Sequence, residues 1–170
     1  MTLRLTTLIT FGLLIGGCTF SVPQFEAGIR FVERVASGKS ETAQEPRATW
    51  LASVGDRGAV LNPYLSGGLT VFANVDGDAI AFDGWTIRSI TGFGLSSPVS
   101  VTGKDGTRVI VYGGAQTTTD CDAWTRSGLN WEQVCANGGG QITLGETGNI
   151  QSITMALGNK LGIVTLRVAK

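Results

Sequence analysis

The chain has 170 residues and a mass of 17.8 kDa, enough for one hydrophobic core and short for two. Charged side chains make up 15% and hydrophobic ones 42%, with 25 glycines against 4 prolines, which excludes a disordered chain and points to β-structure with many tight turns. Thirteen basic side chains offset thirteen acidic ones and no histidine is present. The first fact leaves no positive field for nucleic acid, and the second removes the Ser-His and Cys-His couples and imidazole metal ligands.

The N-terminus reads Met1-Thr2-Leu3-Arg4, then an apolar run from Leu5 to Ile15, then Gly16-Gly17-Cys18. Charge, apolar core and small residues in that order predict an export signal over residues 1–17. The run is shorter than the about 20 residues a membrane-spanning helix needs. Ile15-Gly16-Gly17-Cys18 resembles the bacterial lipobox, which implies that Cys18 carries lipid and becomes the new N-terminus. Each buried CH₂ of an acyl chain contributes about 0.8 kcal/mol, so two or more chains hold a protein firmly without spanning the bilayer. Thr19 stands where inner-membrane lipoproteins often carry Asp. By resemblance to that sorting rule, the expected location is the outer membrane, with the domain facing the periplasm. Residues 18–46 then read as the lipidated cysteine, a tether, a short amphipathic helix and a linker. Phe25, Ile29, Val32 and Val35 recur at helical spacing over Phe25–Ala36, and Gly38 to Pro46 breaks the pattern.

Residues 47–170 read as one β-rich domain, an antiparallel meander forming a sandwich or partly closed barrel. Predicted strands are Ala48–Val54, Leu69–Ala73, Ala79–Phe82, Trp85–Thr91, Val99–Thr102, Thr107–Tyr112, Ala123–Ser127, Trp131–Cys135, Ile150–Ala156 and Gly162–Val168. Glycine-containing turns such as Gly55-Asp56-Arg57-Gly58, Ser66-Gly67-Gly68 and Asp76-Gly77-Asp78 separate the earlier ones. With Cys18 lipidated, Cys121 and Cys135 are the two thiols left in an oxidising compartment, and a disulfide between them is expected. Neither Cys-x-x-Cys spacing nor histidine supports a metal or redox pair. No metal or other cofactor is expected.

Asn74, Asp76 and Asp78 imitate the start of a calcium loop, but Ala79 replaces the required Gly and Trp85 the closing Glu. A hairpin turn at Asp76-Gly77 is the better reading, and Asp83-Gly84 reads as the next turn. Asp76, Asp78 and Asp83 could serve a carboxylate glycosidase only in a shared cleft with a raised pKa, and nothing in the sequence supplies one. No Gly-x-Ser-x-Gly elbow is present, and Asn137-Gly138-Gly139-Gly140 lacks the Lys-Ser/Thr ending of a phosphate loop. No catalytic residue is nominated. Between the paired cysteines, Trp124 and Trp131 lie on a predicted hairpin beside Asp122, Arg126, Asn130 and Glu132. Ring faces flanked by polar groups suit sugar stacking, so these tryptophans are the candidate glycan contacts, with core packing as the competing reading.

The lipobox, helical lead, β-meander and the segment Gly84-Trp85-Thr86-Ile87-Arg88-Ser89-Ile90-Thr91-Gly92-Phe93-Gly94 together resemble the YjbF/GfcB family of lipoproteins from exopolysaccharide and group 4 capsule operons. Arg88, Thr91, Gly92, Phe93 and Gly94 match that family's pattern of an apolar strand running into a glycine-flanked turn. The resemblance implies an all-β fold and a non-catalytic accessory role in polysaccharide assembly or export. Expected partners are the membrane, through the anchor, and polysaccharide or export-machinery proteins. An alternative is a structural envelope lipoprotein that docks on an outer-membrane β-barrel by strand addition. A carboxylate glycosidase is the third reading.

Overall fold

A computed structural model describes residues 48–103 and 106–170. The expected signal peptide, Cys18, the tether, the Phe25–Ala36 helix and the linker lie outside the described residues. What is described is all-β. Thirteen antiparallel strands form one continuous sheet. In chain order they are β1 (Trp50–Val54), β2 (Arg57–Ser66), β3 (Leu69–Ala73), β4 (Ala79–Phe82), β5 (Ile87–Thr91), β6 (Val99–Thr102) and β7 (Gly106–Tyr112). They continue with β8 (Ala115–Cys121), β9 (Thr125–Ser127), β10 (Asn130–Gln133), β11 (Gly140–Leu144), β12 (Ile150–Ala156) and β13 (Ile163–Val168).

The strands make two meanders. The first runs from β1 outward to β8, the second from β9 back to β13, and pairing of β1 with β13 joins them. The two edges of the sheet, β8 and β9, are therefore consecutive in the chain, separated only by Asp122, Ala123 and Trp124. Strands spaced about 4.8 Å apart would put the edges of a flat thirteen-strand sheet roughly 55–60 Å from each other. A three-residue connection spans about 14 Å at most. The sheet has to curl until its edges approach, and it forms a partly closed barrel with one core on its concave face.

The core follows the period of two. Trp50, Ala52 and Val54 are buried along β1 while Leu51 and Ser53 are less so. Across the second meander, pairing lines up Trp131, Ile142, Ile153, Leu166 and Ala52 in one interior row. The first meander answers with Phe72, Ile80, Phe82, Ile87, Ile90, Val99, Val101 and Ile110, all in the same buried cluster. The long β2 divides its pairing along its length: Arg57–Leu61 pairs with β1 and Asn62–Ser66 with β3.

Three strands depart from the sequence reading. β2 has a proline at position 63 and exposes Val60, Tyr64 and Leu65, so its apolar residues do not trace one buried face. β8, Ala-Gln-Thr-Thr-Thr-Asp-Cys, is polar on both sides and owes its strand state to pairing with β7 along its whole length. β11 begins at Gly140, the last residue of the Asn137-Gly138-Gly139-Gly140 run, where no strand is predicted. Elsewhere the differences are at ends. β5 starts at Ile87 because Asp83–Thr86 forms a capped turn, and β10 stops at Gln133, leaving Cys135 in an isolated bridge with Cys121.

Candidate functional site

Of the expected site residues, Cys121, Cys135, Trp124 and Trp131 gather at the seam where the curled sheet meets itself. The sulfurs of Cys121 and Cys135 are bonded, with their Cα atoms 4.0 Å apart. On either side, the Asp122 amide donates to the Val134 carbonyl (2.8 Å) and the Ala136 amide to the Asp120 carbonyl (2.9 Å). The end of β8 is thus stitched to the chain leaving β10 by one covalent and two main-chain bonds.

Trp124 and Trp131 come together here, but their rings turn inward. Trp131 stands in the interior row beside Ile142, and the Arg126 guanidinium lies 5.7 Å from its ring centre. Trp124, in the β8–β9 connection, covers Gly140. A Cβ at that position would lie 2.8 Å from the indole Cη2, so any side chain there would force the ring or the strand to shift. Trp85, buried at the β4–β5 turn of the opposite half, meets Trp131 edge-on at 4.9 Å and Trp124 at 5.6 Å. Such tilted and edge-on pairs add about 0.5–1.5 kcal/mol each beyond their area. The trio packs against the core, and Trp124 and Trp131 are half-buried. Their polar neighbours serve the hairpin: Arg126 Nε donates to the Gly128 carbonyl (3.2 Å) and Gln141 Nε2 to Glu132 Oε1 (3.2 Å).

The carboxylates of Asp78 and Asp83 are committed to turns. Asn74 Oδ1 accepts from the amides of Asp76 and Asp78 at 3.0 Å each, and Asn74 Nδ2 donates to Asp78 Oδ2 at 3.0 Å. Asp78 Oδ1 accepts from the Phe93 amide (2.5 Å). Asp83 Oδ1 accepts from the amides of Trp85 (2.9 Å) and Thr86 (2.6 Å), and its Oδ2 pairs with Arg88 Nε (2.6 Å). Arg88 Nη1 donates to the Gly103 carbonyl (3.1 Å).

These bonds account for the segment that resembles the YjbF/GfcB pattern. Arg88 locks one turn to the next. Gly92 sits against the Asp78 backbone at a φ of +76°, where a Cβ would approach Asp78 Cα to 2.7 Å. Phe93 takes a left-handed φ of +52°, which a bulky residue rarely adopts, and its burial and the Asp78 bond hold it there.

Arg108 is the seam residue the sequence reading missed. It points inward from β7 and has no solvent exposure. Its Nη2 donates to Gln133 Oε1, and Gln133 Nε2 in turn donates to the Asp122 carbonyl (2.8 Å). Nε and Nη1 meet no acceptor among the described residues. Burial works against the charged guanidinium and lowers its pKa. Alternation along Thr107–Tyr112 carried the signal, because Arg108 shares a face with Ile110.

No protein-family model matches this sequence, and no curated protein matches it. Among solved structures the fold is shared with the hypothetical lipoprotein YmcC from Escherichia coli (K12). The two are 11% identical with a TM-score of 0.52, and the match covers 83% of this chain and 94% of that one. At that identity the likeness is one of fold.

Proposed function

We propose that the chain is a lipid-anchored protein of the bacterial envelope, held at the outer membrane through Cys18 with its β-domain in the periplasm. The observation that carries this reading is the run from Arg4 through the apolar core to Ile15-Gly16-Gly17-Cys18, on a chain whose fold is that of a lipoprotein. The seam disulfide suits an oxidising compartment.

Within the envelope the role is that of a non-catalytic accessory in assembly or export of a surface polysaccharide. Support comes from the Arg88 to Gly94 resemblance and from the turn duties of Asp78 and Asp83, which leave these acids tied to backbone amides and Arg88. Glycan contact at Trp124 and Trp131 would use only the outer parts of half-buried rings.

Intact-mass analysis of the membrane fraction tests the anchor. The expected product starts at Cys18 with acyl mass added, and Cys18→Ser stays unlipidated; a wild-type chain without lipid overturns it. Deleting the gene should lower surface polysaccharide, and restoration by the wild type but not by Cys18→Ser is expected. Unchanged polysaccharide overturns the accessory role.

A further inference from the structure

The two edges of the sheet are protected differently. β9 is only three residues long, and a short edge offers little to pair with. β8 has seven residues, rich in β-branched threonine, with neither the lysine nor the proline that commonly blunts an edge. Its main chain is available over part of that length. The Asp120 carbonyl and the Asp122 amide face away from β7, toward the seam. By the period of two, the amides and carbonyls of Thr118 and Gln116 face the same way. The chain that covers Asp120 does not reach them. The Asn137 amide donates to Thr119 Oγ1 (3.2 Å) rather than to the β8 backbone, and at Gly138, φ +96°, the chain turns off toward β11. Among the described residues, no main-chain bond meets Thr118 or Gln116 on that side.

A cleft of about 230 Å³ opens beside this free stretch. Ala115 and Thr117 of β8 and Ile110 and Tyr112 of β7 line one wall, and the β12–β13 loop, including Leu157 and Leu161, lines the other. A strand laid along β8 would send alternate side chains onto these apolar groups. Among the described residues, Lys160 is the one charged residue lining the cleft.

We propose that β8 is a strand acceptor. It takes an extended peptide of a partner protein, whose main chain pairs with Gln116 and Thr118, whose alternate apolar side chains enter the cleft, and which carries an acidic residue opposite Lys160. Free amides and carbonyls at strand spacing match a polypeptide ladder and have no counterpart in a glycan. The proposal goes beyond the polysaccharide role and holds whichever envelope process the chain serves.

The test uses the full-length protein in detergent, a random dodecapeptide library displayed on phage, and an oligogalacturonate as an acidic glycan probe. Enriched peptides should alternate apolar residues and carry an acid. Gln116→Pro and Thr118→Pro remove outward-facing amides and leave those directed at β7 in place; each should weaken binding at least about tenfold, or 1.4 kcal/mol. Lys160→Glu should weaken the acidic peptides. Should a proline variant fail to fold, amide hydrogen exchange on the wild type decides, since bound peptide should slow exchange at Gln116 and Thr118. The proposal is overturned if no peptide is enriched, if peptides bind the folded proline variants as tightly as the wild type, or if exchange at both positions is unaffected. Perturbation of Tyr112 and Lys160 resonances by the oligogalacturonate with no peptide bound also overturns it, in favour of a glycan cleft.

Discussion

The two ends of the seam differ in kind. At the Cys121 end, a disulfide and two main-chain bonds bind β8 to the chain leaving β10, and the Arg108–Gln133 pair joins β7 to β10. At the Ala115 end nothing comparable crosses among the described residues, and a cleft separates β8 from the β12–β13 loop. A curled sheet can thus be held closed from one end only. The covalent bond removes the need for a complete ladder, and the remainder of the edge is left with its backbone groups unused. The locked end is where substitutions should cost stability, and the open end is the edge proposed to accept a strand.

The largest effects should come from breaking the locked end. Arg108→Ala empties a fully buried site and removes the donor to Gln133, and should lower stability by about 2–5 kcal/mol in urea unfolding. Arg108→Met keeps most of the volume and discards a buried charge with one hydrogen bond, so its stability should equal or exceed the wild type. A Met variant as unstable as the Ala variant would show that the guanidinium itself holds the seam.

Replacing both Cys121 and Cys135 by serine should cost about 3 kcal/mol, the chain-entropy value for a loop of this length. Hydrogen exchange should quicken at the Asp122 and Ala136 amides, which bridge the seam, more than at those between β12 and β13. Uniform quickening would mean that the bond stabilises the whole sheet and not its closure.

Gly140→Val brings a β-branched side chain against the Trp124 indole and should lower stability by about 1–3 kcal/mol in thermal unfolding. In a Trp124→Ala background that penalty should shrink. If it does not, the ring is not what demands glycine there.

The smallest effect belongs to the open end. Gln116→Pro should change stability by no more than about 0.5 kcal/mol, since its amide faces away from β7. Thr117→Pro, one residue on, removes a bond of the β7–β8 ladder and should cost about 1 kcal/mol or more. Equal costs at the two positions would contradict the facing assigned to the edge.

Much of the fold was legible because alternation and turn chemistry act over a few neighbouring residues. Val99-Ser-Val-Thr shows its buried and exposed faces directly, Asp76-Gly77 and Ser127-Gly128 mark their hairpins, and the β12 and β13 runs alternate as expected. β8 was not legible, because an edge strand with a polar sequence has no apolar face to betray it; pairing with β7 makes it a strand. The direction of Trp124 and Trp131 was likewise a tertiary matter. On sequence alone they are two rings near polar residues, and only the structure shows Trp85 arriving from the other half of the sheet to pack against both half-buried rings. Arg108 lay between these cases, since alternation predicts an inward side chain but says nothing of what it meets. The sequence by itself determined a β-rich chain with glycine turns and two cysteines placed to pair. Tertiary structure decided which strands are neighbours and where the sheet stops, because the pairing of Trp50 with Val168 and the meeting of Arg108 with Gln133 depend on burying faces contributed by distant parts of the chain, which no local pattern records.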